Sequence, residues 1–312
     1  MIALGILGVA AVGIAIYFSR SYLSLLVLLG LMGVLGGGYH PASPPLVCAA
    51  AARERRGLAL GTHAVGGSAA FFIAPLVVAV TAGVWGWRAS YLCLAIPSLI
   101  FGFILYAALR RFNQGERSAF PLVSASTLTN INPGSFALFI SLSALGSVAM
   151  VLVVAYLPLL LVDKLNINEG SAAALLAVVY LTGIFANIGV GFLTDNFSRR
   201  GILVASLLTS AAAVAVLSSI PNMWSIVILL VLFGFLIVVF QNVAESFLMT
   251  HVTAERASSI LGLYYFATMT GSGLLTPLLG ALIDWRGFGV GLGLLAVGLG
   301  LAGIGYIFLK RR

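Results

Sequence analysis

Ten long apolar segments, separated by short polar ones, constrain this sequence more than any other feature. Each segment is long enough to cross about 30 Å of hydrocarbon. None of them alternates apolar with polar residues, which favours helices over a membrane β-barrel. Charged residues make up 8% of the 312 residues, far below the roughly 25% of soluble domains. The sequence therefore predicts an all-α integral membrane protein, a multi-pass helical bundle with spans at about 2–18, 22–50, 57–81, 89–109, 136–162, 171–192, 201–219, 224–250, 258–283 and 288–309.

The basic residues are distributed unevenly between the segments that connect these spans. If residue 1 is cytoplasmic, four of the 16 Lys and Arg residues lie outside, namely Arg20, Arg88, Lys164 and Arg286, and 12 lie inside. Such an inner excess orients membrane proteins. All four tryptophans fall at predicted outer ends, where the indole ring suits the headgroup layer. We predict a multi-pass protein of the cell (cytoplasmic) membrane with both termini cytoplasmic, and the net charge of +8 then implies no nucleic-acid partner.

One long polar segment, FNQGERSAFPLVSASTLTNINPG, interrupts the apolar pattern. Its Ser, Thr, Asn, Pro and Gly residues indicate a loop. We predict a cytoplasmic linker at 112–135 between a four-span bundle at 1–111 and a six-span bundle at 136–312. RERRGLALG in the first bundle, followed by a Pro and a Trp-Arg pair, is echoed by AERASSILG in the second, and internal repeats are typical of secondary transporters. The sequence thus predicts two pseudo-repeated halves, the first of them two spans short.

The polar stretch GFLTDNFSRR joins the sixth and seventh predicted spans. It resembles the loop signature of the major facilitator superfamily, which joins the second and third helices of each six-helix half. Gly191, Asp195, Arg199 and Arg200 match the signature, whereas Asn and Ser occupy a usually basic and a usually glycine position between them. The resemblance implies the major facilitator fold with the first two of twelve helices missing. It also implies a cytoplasmic gate at these four residues, in which Asp195 caps a helix start or pairs with an Arg.

A narrower resemblance covers residues 36–75. The HPAS step, the RRGLALG segment and the Gly-rich helix that follows look like the fosmidomycin-resistance branch of the superfamily, whose members resemble proton-driven drug exporters. Gly61 and Pro75 also lie at the spacing of the antiporter signature of the fifth helix, with Ala at two glycine positions. Small residues and prolines permit close packing or bending of membrane helices, and the residues expected to do so here are Gly61, Gly66, Gly67, Pro75 and Pro277.

Glu245 is the only acidic residue inside a predicted span. A charge at the centre of a membrane helix costs about 2.5 to 3.5 kcal/mol, and such residues often mark a pathway. Gln241 and Asn242 lie one turn earlier, so the three side chains project from adjoining faces. We expect a substrate or proton pathway at these three residues. The alternative is that Glu245, near the cytoplasmic end, reaches water or pairs with Arg256.

Tyr39, His40 and His63 are further candidates for this pathway, in the second and third predicted spans. Each imidazole can bind a proton near neutral pH. Tyr39 and His40 belong to the sequence GGGYHP, and spans interrupted by Gly and Pro point to binding sites in transporters. The alternative is that the imidazoles are neutral and each donates one hydrogen bond inside the bundle. Asn187, Tyr264 and Tyr265 are candidates for lining or packing groups.

Proton-coupled export of a small organic compound by alternating access is the function that these features and the resemblance predict. Proton-coupled uptake of a small metabolite is one alternative, and a non-transporting fragment or interaction partner is another. The sequence contains no H-E-x-x-H set and no repeated pore filter, which argues against a metalloenzyme and a channel. We predict no enzyme activity, cofactor or metal, and as partners a small-molecule substrate, protons and the lipid bilayer around a monomer.

Overall fold

All secondary structure in the described part of the chain is helical, as the apolar segments predict. The computed structural model describes residues 2–50, 56–112, 133–220, 222–250 and 254–309. The chain divides into two units, residues 1–121 and 122–312. The boundary falls within the predicted linker, most of which lies outside the described residues.

The first unit contains α1 (Ile2–Phe18), α2 (Tyr22–Gly36), α3 (Tyr39–Ala50), α4 (Arg56–Trp85) and α5 (Trp87–Phe112). The span predicted at 22–50 is interrupted at the sequence GGGYHP, because α2 ends at Gly36 and α3 begins at Tyr39. Gly37 and Gly38 lie between the two helices, and glycine costs about 1 kcal/mol relative to alanine inside a helix. The amide of Gly37 closes the end of α2 on the carbonyl of Gly33 at 2.9 Å.

The second unit contains α6 (Pro133–Leu165), α7 (Glu169–Asn196), α8 (Arg199–Leu217), α9 (Met223–Thr250), α10 (Ala254–Arg286) and α11 (Phe288–Phe308). All six spans predicted for this part of the chain are confirmed, with ends that differ by a few residues. N-cap side chains explain where α7 and α8 begin. Asn168 accepts a hydrogen bond from the amide of Ser171 at 2.8 Å at the start of α7, and Ser198 accepts one from the amide of Gly201 at 3.1 Å at the start of α8, as N-cap side chains do.

Eight helices in the described residues are long and apolar enough to cross a membrane, and the shorter apolar helices α1 and α2 have 17 and 15 residues. The four tryptophans lie at ends of α4, α5, α9 and α10, and the outer position of these ends stays a prediction. The protein is a multi-pass membrane bundle.

The largest apolar core of the described residues lies in the second unit. The buried residues of α8 and α11 recur every three or four positions, from Ile202 to Leu217 and from Gly291 to Tyr306, which is one face of a helix. Phe139 of α6 stacks on Phe247 of α9 with ring centroids 4.1 Å apart. The second unit therefore has a packed interior on which polar groups can be positioned.

Two glycines allow α7 and α9 to approach each other closely. A Cβ added at Gly234 would meet the backbone oxygen of Val179, and one added at Gly183 would meet Val238 at 2.9 Å. Gly66 and Gly67, predicted to permit helix packing, have no atom of the structure within 4 Å of such a Cβ. The role of these two glycines in helix packing or bending stays a prediction. The side-chain environment of Gly61 lies outside the described residues, and Pro75 and Pro277 lie inside α4 and α10 as predicted.

Candidate functional site

The predicted pathway acid, Glu245, lies on α9 more than one turn from the end of the helix. Its side chain is half-buried, and its Oε1 accepts a hydrogen bond from the hydroxyl of Tyr265 on α10 at 2.9 Å. The side chain of Arg256, the alternative partner, lies outside the described residues. An ionised carboxylate can only accept hydrogen bonds. The arrangement can therefore hold a negative charge inside the bundle, and binding of a proton would neutralise that charge.

Asn242, one turn before Glu245, faces a different neighbour. Its side-chain nitrogen donates to Oδ1 of Asn187 on α7 at 3.0 Å and to the carbonyl of Val238 at 2.9 Å. Gln241 is half-buried on the same helix. Asn242 and Glu245 thus connect α9 to α7 and α10 respectively, as expected from side chains on adjoining faces.

Two buried hydroxyl pairs tie α6 to the last two helices of the unit. Tyr264 of α10 lies 2.7 Å from the hydroxyl of Ser147, and Tyr306 of α11 lies 2.5 Å from the hydroxyl of Ser143. All four side chains are buried. Since a buried hydroxyl without a partner costs about 1 to 3 kcal/mol, these pairs are satisfied structural links. Tyr264, a candidate for a lining group, is therefore part of the packing.

In the first unit, the structure brings together two of the three residues predicted for the pathway in the second and third spans. The rings of Tyr39 on α3 and His63 on α4 have centroids 6.0 Å apart and are tilted by 35°. The side chain of His40 lies outside the described residues. Tyr39 and His63 form a polar aromatic pair beside the break between α2 and α3, which is where the sequence places a cavity.

The residues that match the family signature lie at the junction of α7 and α8. The side chain of Asp195 and the surroundings of Gly191 lie outside the described residues. Asp195 lies within α7 and the N-cap of α8 is Ser198, so a role of Asp195 in capping another helix start or in pairing with an Arg stays a prediction. Arg200 instead donates from its guanidinium to the carbonyl oxygen of Ile307, at the end of α11. A cation there compensates the negative end of the helix dipole.

The comparison with protein families decides the identity of this architecture. The family model of the Major Facilitator Superfamily matches residues 1–160 and 137–312, which together cover the chain. The chain belongs to the major facilitator superfamily.

Among curated proteins, this superfamily member is similar to multidrug resistance proteins named MdtG. The protein of Escherichia fergusonii is 26% identical over 238 residues, which are 73% of this chain and 57% of that protein. The protein of Enterobacter lignolyticus is 24% identical over 289 residues, which are 89% of this chain and 67% of that protein. The chain thus spans about three fifths to two thirds of the length of these relatives.

Two solved structures share the fold of this superfamily member. A bacterial homologue of the human lysosomal transporter Spinster, in an inward-facing and occupied conformation, matches with a TM-score of 0.74 and 14% identity, over 99% of this chain and 81% of that chain. The fucose:proton symporter FucP of Escherichia coli matches with a TM-score of 0.66 and 16% identity, over 99% and 83%. At these identities the likeness concerns the fold.

The sequence singled out Glu245 in this major facilitator protein but did not single out Tyr265, which donates a hydrogen bond to it. Tyr265 was one of several candidates for lining groups, and no feature of the sequence distinguishes it from the adjacent Tyr264. Only the rotation of α10 about its axis turns one hydroxyl towards Glu245 and the other towards Ser147. Among the described residues, no group of three or more His, Cys, Asp or Glu side chains could hold a metal.

Proposed function

We propose that the protein is a secondary active transporter that exports a small organic compound in exchange for protons. Alternating access would expose the bound compound to each side of the membrane in turn, and a ligand shifts the balance between the two states only through its different affinity for each. Membership of the superfamily and the similarity to multidrug resistance proteins support this proposal. Neither enzymatic activity nor a bound cofactor is part of it.

The position of Glu245 is the observation that carries proton coupling. The other acidic side chains that the structure describes, Asp163, Glu169 and Asp284, lie within two residues of a helix end. Glu245 lies further inside its helix and is half-buried beside Tyr265. Ionisable groups in this situation are costly and mark ion or proton pathways. Glu245 would bind the exchanged proton, and neutralising it removes the cost of the charge.

The remaining predicted residues take supporting roles in this proposal. Tyr39, His40, His63, Gln241 and Asn242 would line the substrate or proton pathway of their respective units. The signature residues Gly191, Asp195, Arg199 and Arg200 would act at the cytoplasmic gate, where Arg200 already reaches the end of α11.

The protein would function as a monomer in the cytoplasmic membrane with both termini inside. The excess of Lys and Arg in the segments predicted to be cytoplasmic supports this orientation, and tryptophans at the opposite helix ends agree with it. A reporter that is active only in the cytoplasm should therefore be active when it is fused to either end of the chain.

Everted membrane vesicles test the direction of transport. Respiration acidifies their interior, and a pH-sensitive fluorescent dye reports the gradient. Compounds from a panel of small organic molecules are added one at a time. An exporter that exchanges them for protons lets protons leave, so the dye signal recovers and the labelled compound accumulates inside.

The same assay separates the alternatives. A symporter for uptake would carry the compound out of preloaded everted vesicles together with protons and would not accumulate it. Absence of both proton movement and accumulation for every compound, in vesicles with verified folded protein, would contradict transport by this chain. Vesicles that carry Glu169→Gln provide a matched control, because this change also removes a carboxylate but at the start of α7.

A further inference from the structure

Two consecutive tyrosines of α10 make different bonds, although their chemistry is identical. Tyr264 lies against the hydroxyl of Ser147 on α6, whereas Tyr265 donates to Glu245 on α9. We propose that Tyr265 is a positioning residue that holds the Glu245 carboxylate and sets how tightly this group binds a proton. The proposal rests on the proposed function only in that Glu245 is the group that exchanges a proton.

The hydrogen bond from Tyr265 acts differently on the two protonation states of the carboxyl group. The hydroxyl of Tyr265 lies 2.9 Å from Oε1 of Glu245, within the range of an O–H···O hydrogen bond. Such a bond to an ionised acceptor is about twice as strong as one between neutral groups. A hydrogen bond that is stronger to the charged form favours that form. Tyr265 therefore stabilises ionised Glu245 more than protonated Glu245.

Charged residues on the helices around α9 could also affect the carboxyl group, and the side chains of Asp195 on α7 and of Glu255 and Arg256 on α10 lie outside the described residues. The helices packed against α9 are α6, α7, α8 and α10. Their charged residues with described side chains lie at helix ends: Asp163 and Lys164 on α6, Glu169 on α7, Arg199 and Arg200 on α8, and Asp284 and Arg286 on α10. Asn187, which α7 brings to the neighbouring Asn242, is a neutral amide.

The remaining phenols on these helices are also accounted for. Tyr156 of α6 donates to the carbonyl of Thr276 at 2.6 Å, in another part of α10. Tyr180 precedes Asn187 by seven residues, which is about 10 Å along α7. Tyr264 is fully buried and oriented towards Ser147. Tyr265 is thus the phenol whose loss should affect the carboxyl group directly.

The two tyrosines connect α10 to two neighbouring helices at adjacent positions, to α6 through Tyr264 and to α9 through Tyr265. Tyr264 fixes it to α6 whether or not a proton is bound, because both partners of that bond are hydroxyls. Tyr265 fixes it to α9 most strongly when Glu245 is ionised. Binding of a proton would therefore weaken one of the two links and leave the other intact, so that the contact between α9 and α10 depends on the protonation of Glu245.

Infrared spectroscopy of the purified full chain in lipid bilayers measures this directly. The carbonyl stretch of a protonated carboxyl group is followed while the pH is varied, and Glu245→Gln identifies the part of the band that belongs to Glu245. In Tyr265→Phe we expect protons to bind about tenfold more tightly, which moves the midpoint of the titration up by about one pH unit. Tyr264→Phe, the matched control, should leave the midpoint where it is in the parent protein.

A second signal comes from the parent protein and does not depend on the stability of any tyrosine variant. The ring C–O band of one tyrosine should change with the same midpoint as the carboxyl band, and this change should be lost in Glu245→Gln. The proposal is overturned if no tyrosine band follows the carboxyl band. It is equally overturned if Tyr265→Phe keeps the parent midpoint or if Tyr264→Phe shifts it as far.

Failure of this proposal differs from failure of the proposed function. The titration reports a bond and requires no substrate, so a shifted midpoint in Tyr265→Phe supports the positioning role even if Glu245→Gln still exchanges compounds for protons. That combination would reject Glu245 as the coupling group and keep Tyr265 as its hydrogen-bond donor. An unshifted midpoint in Tyr265→Phe, together with loss of compound–proton exchange in Glu245→Gln, would reject the role of Tyr265 and keep Glu245 as the coupling group.

Discussion

The two units of the chain are equally apolar in sequence but differ in how much of that surface they bury. In the most apolar window of α6, 56% of the residues are buried, whereas in that of α4 only 6% are. None of the residues of α2, all of which the structure describes, is buried. In water such a difference would make the first unit unstable. In a bilayer, lipid covers exposed apolar side chains at little cost, so burial records where helices pack against one another.

The units also differ in the polar links between their helices. In the second unit, side-chain bonds join α6 to α10 and α11, α7 to α9, and α9 to α10. In the first unit, Thr81 meets Ser90 at 2.7 Å and Arg88 donates to the carbonyl of Ser19 at 3.1 Å. Hydrophobicity alone does not hold helices together in lipid, and close packing and hydrogen bonds do. The second unit is therefore expected to be the more rigid of the two.

Exchange of glycine for alanine should give the largest contrast between the units. In Gly234→Ala, the new Cβ would meet the backbone oxygen of Val179 and the hydroxyl of Thr182, and overpacking typically costs about 1 to 3 kcal/mol. In Gly66→Ala the Cβ meets nothing within 4 Å, and alanine is the better helix former by about 1 kcal/mol. Unfolding of each variant in mixed micelles measures the change in stability. Equal losses in both variants would contradict the contrast in packing.

Removal of a buried hydroxyl should have a smaller effect. Tyr306→Phe breaks the bond to Ser143, whose hydroxyl still donates to the carbonyl of Phe139 at 2.8 Å. Hydrogen bonds between membrane helices contribute about 0.6 kcal/mol on average and up to about 1.7, and we expect a loss in this range. Ser90→Ala is the corresponding change in the first unit, because Thr81 keeps its bond to Val77. A larger loss in Ser90→Ala would show that the first unit depends more on its hydroxyl pair.

The cations at helix ends should contribute least. Arg200→Ala removes the bond to Ile307 at the end of α11, and Arg88→Ala removes the one to Ser19 beyond α1. Charges at helix termini contribute about 0.3 to 1 kcal/mol at low ionic strength. We expect losses of that size in both units, and smaller ones at high salt, in the same unfolding assay. Arg200→Lys keeps the charge and serves as the control, and a loss in Arg200→Ala that does not respond to salt would contradict the electrostatic explanation.

The sequence predicted the elements of the fold well but few of its contacts. Long apolar runs place the helices, since the bilayer requires about 20 apolar residues for each span. The break before Tyr39 was visible as three glycines, yet hydropathy carried the predicted span across it. Gly66 and Gly67 were expected to permit packing or bending, and the sequence did not single out Gly234, where an added Cβ would meet the backbone of Val179. Which glycine faces a neighbour depends on the rotation of each helix, and a run that is apolar on all sides does not reveal that rotation.

The candidate site shows the same limit. Glu245 could be found because a charge stands out in an apolar span, and Asn242 because it lies one turn away. The bond to Tyr265 joins two helices across 20 residues of chain, and the sequence holds no signal for it. For Asp195 the sequence suggested a cap or a pair with an Arg, and the structure places Ser198 at the N-cap of α8.

Substitution of Glu245 by Gln tests the central claim most directly. Proteoliposomes with parent protein, Glu245→Gln or the control Glu169→Gln are assayed with a labelled compound that moved protons in the vesicle experiment. Accumulation driven by a pH gradient and exchange of labelled for unlabelled compound without a gradient are measured side by side. We predict that Glu245→Gln loses the accumulation and keeps the exchange, whereas Glu169→Gln keeps both. Accumulation by Glu245→Gln at the parent level, with the parent dependence on the gradient, would contradict the assignment of Glu245 as the proton-binding group.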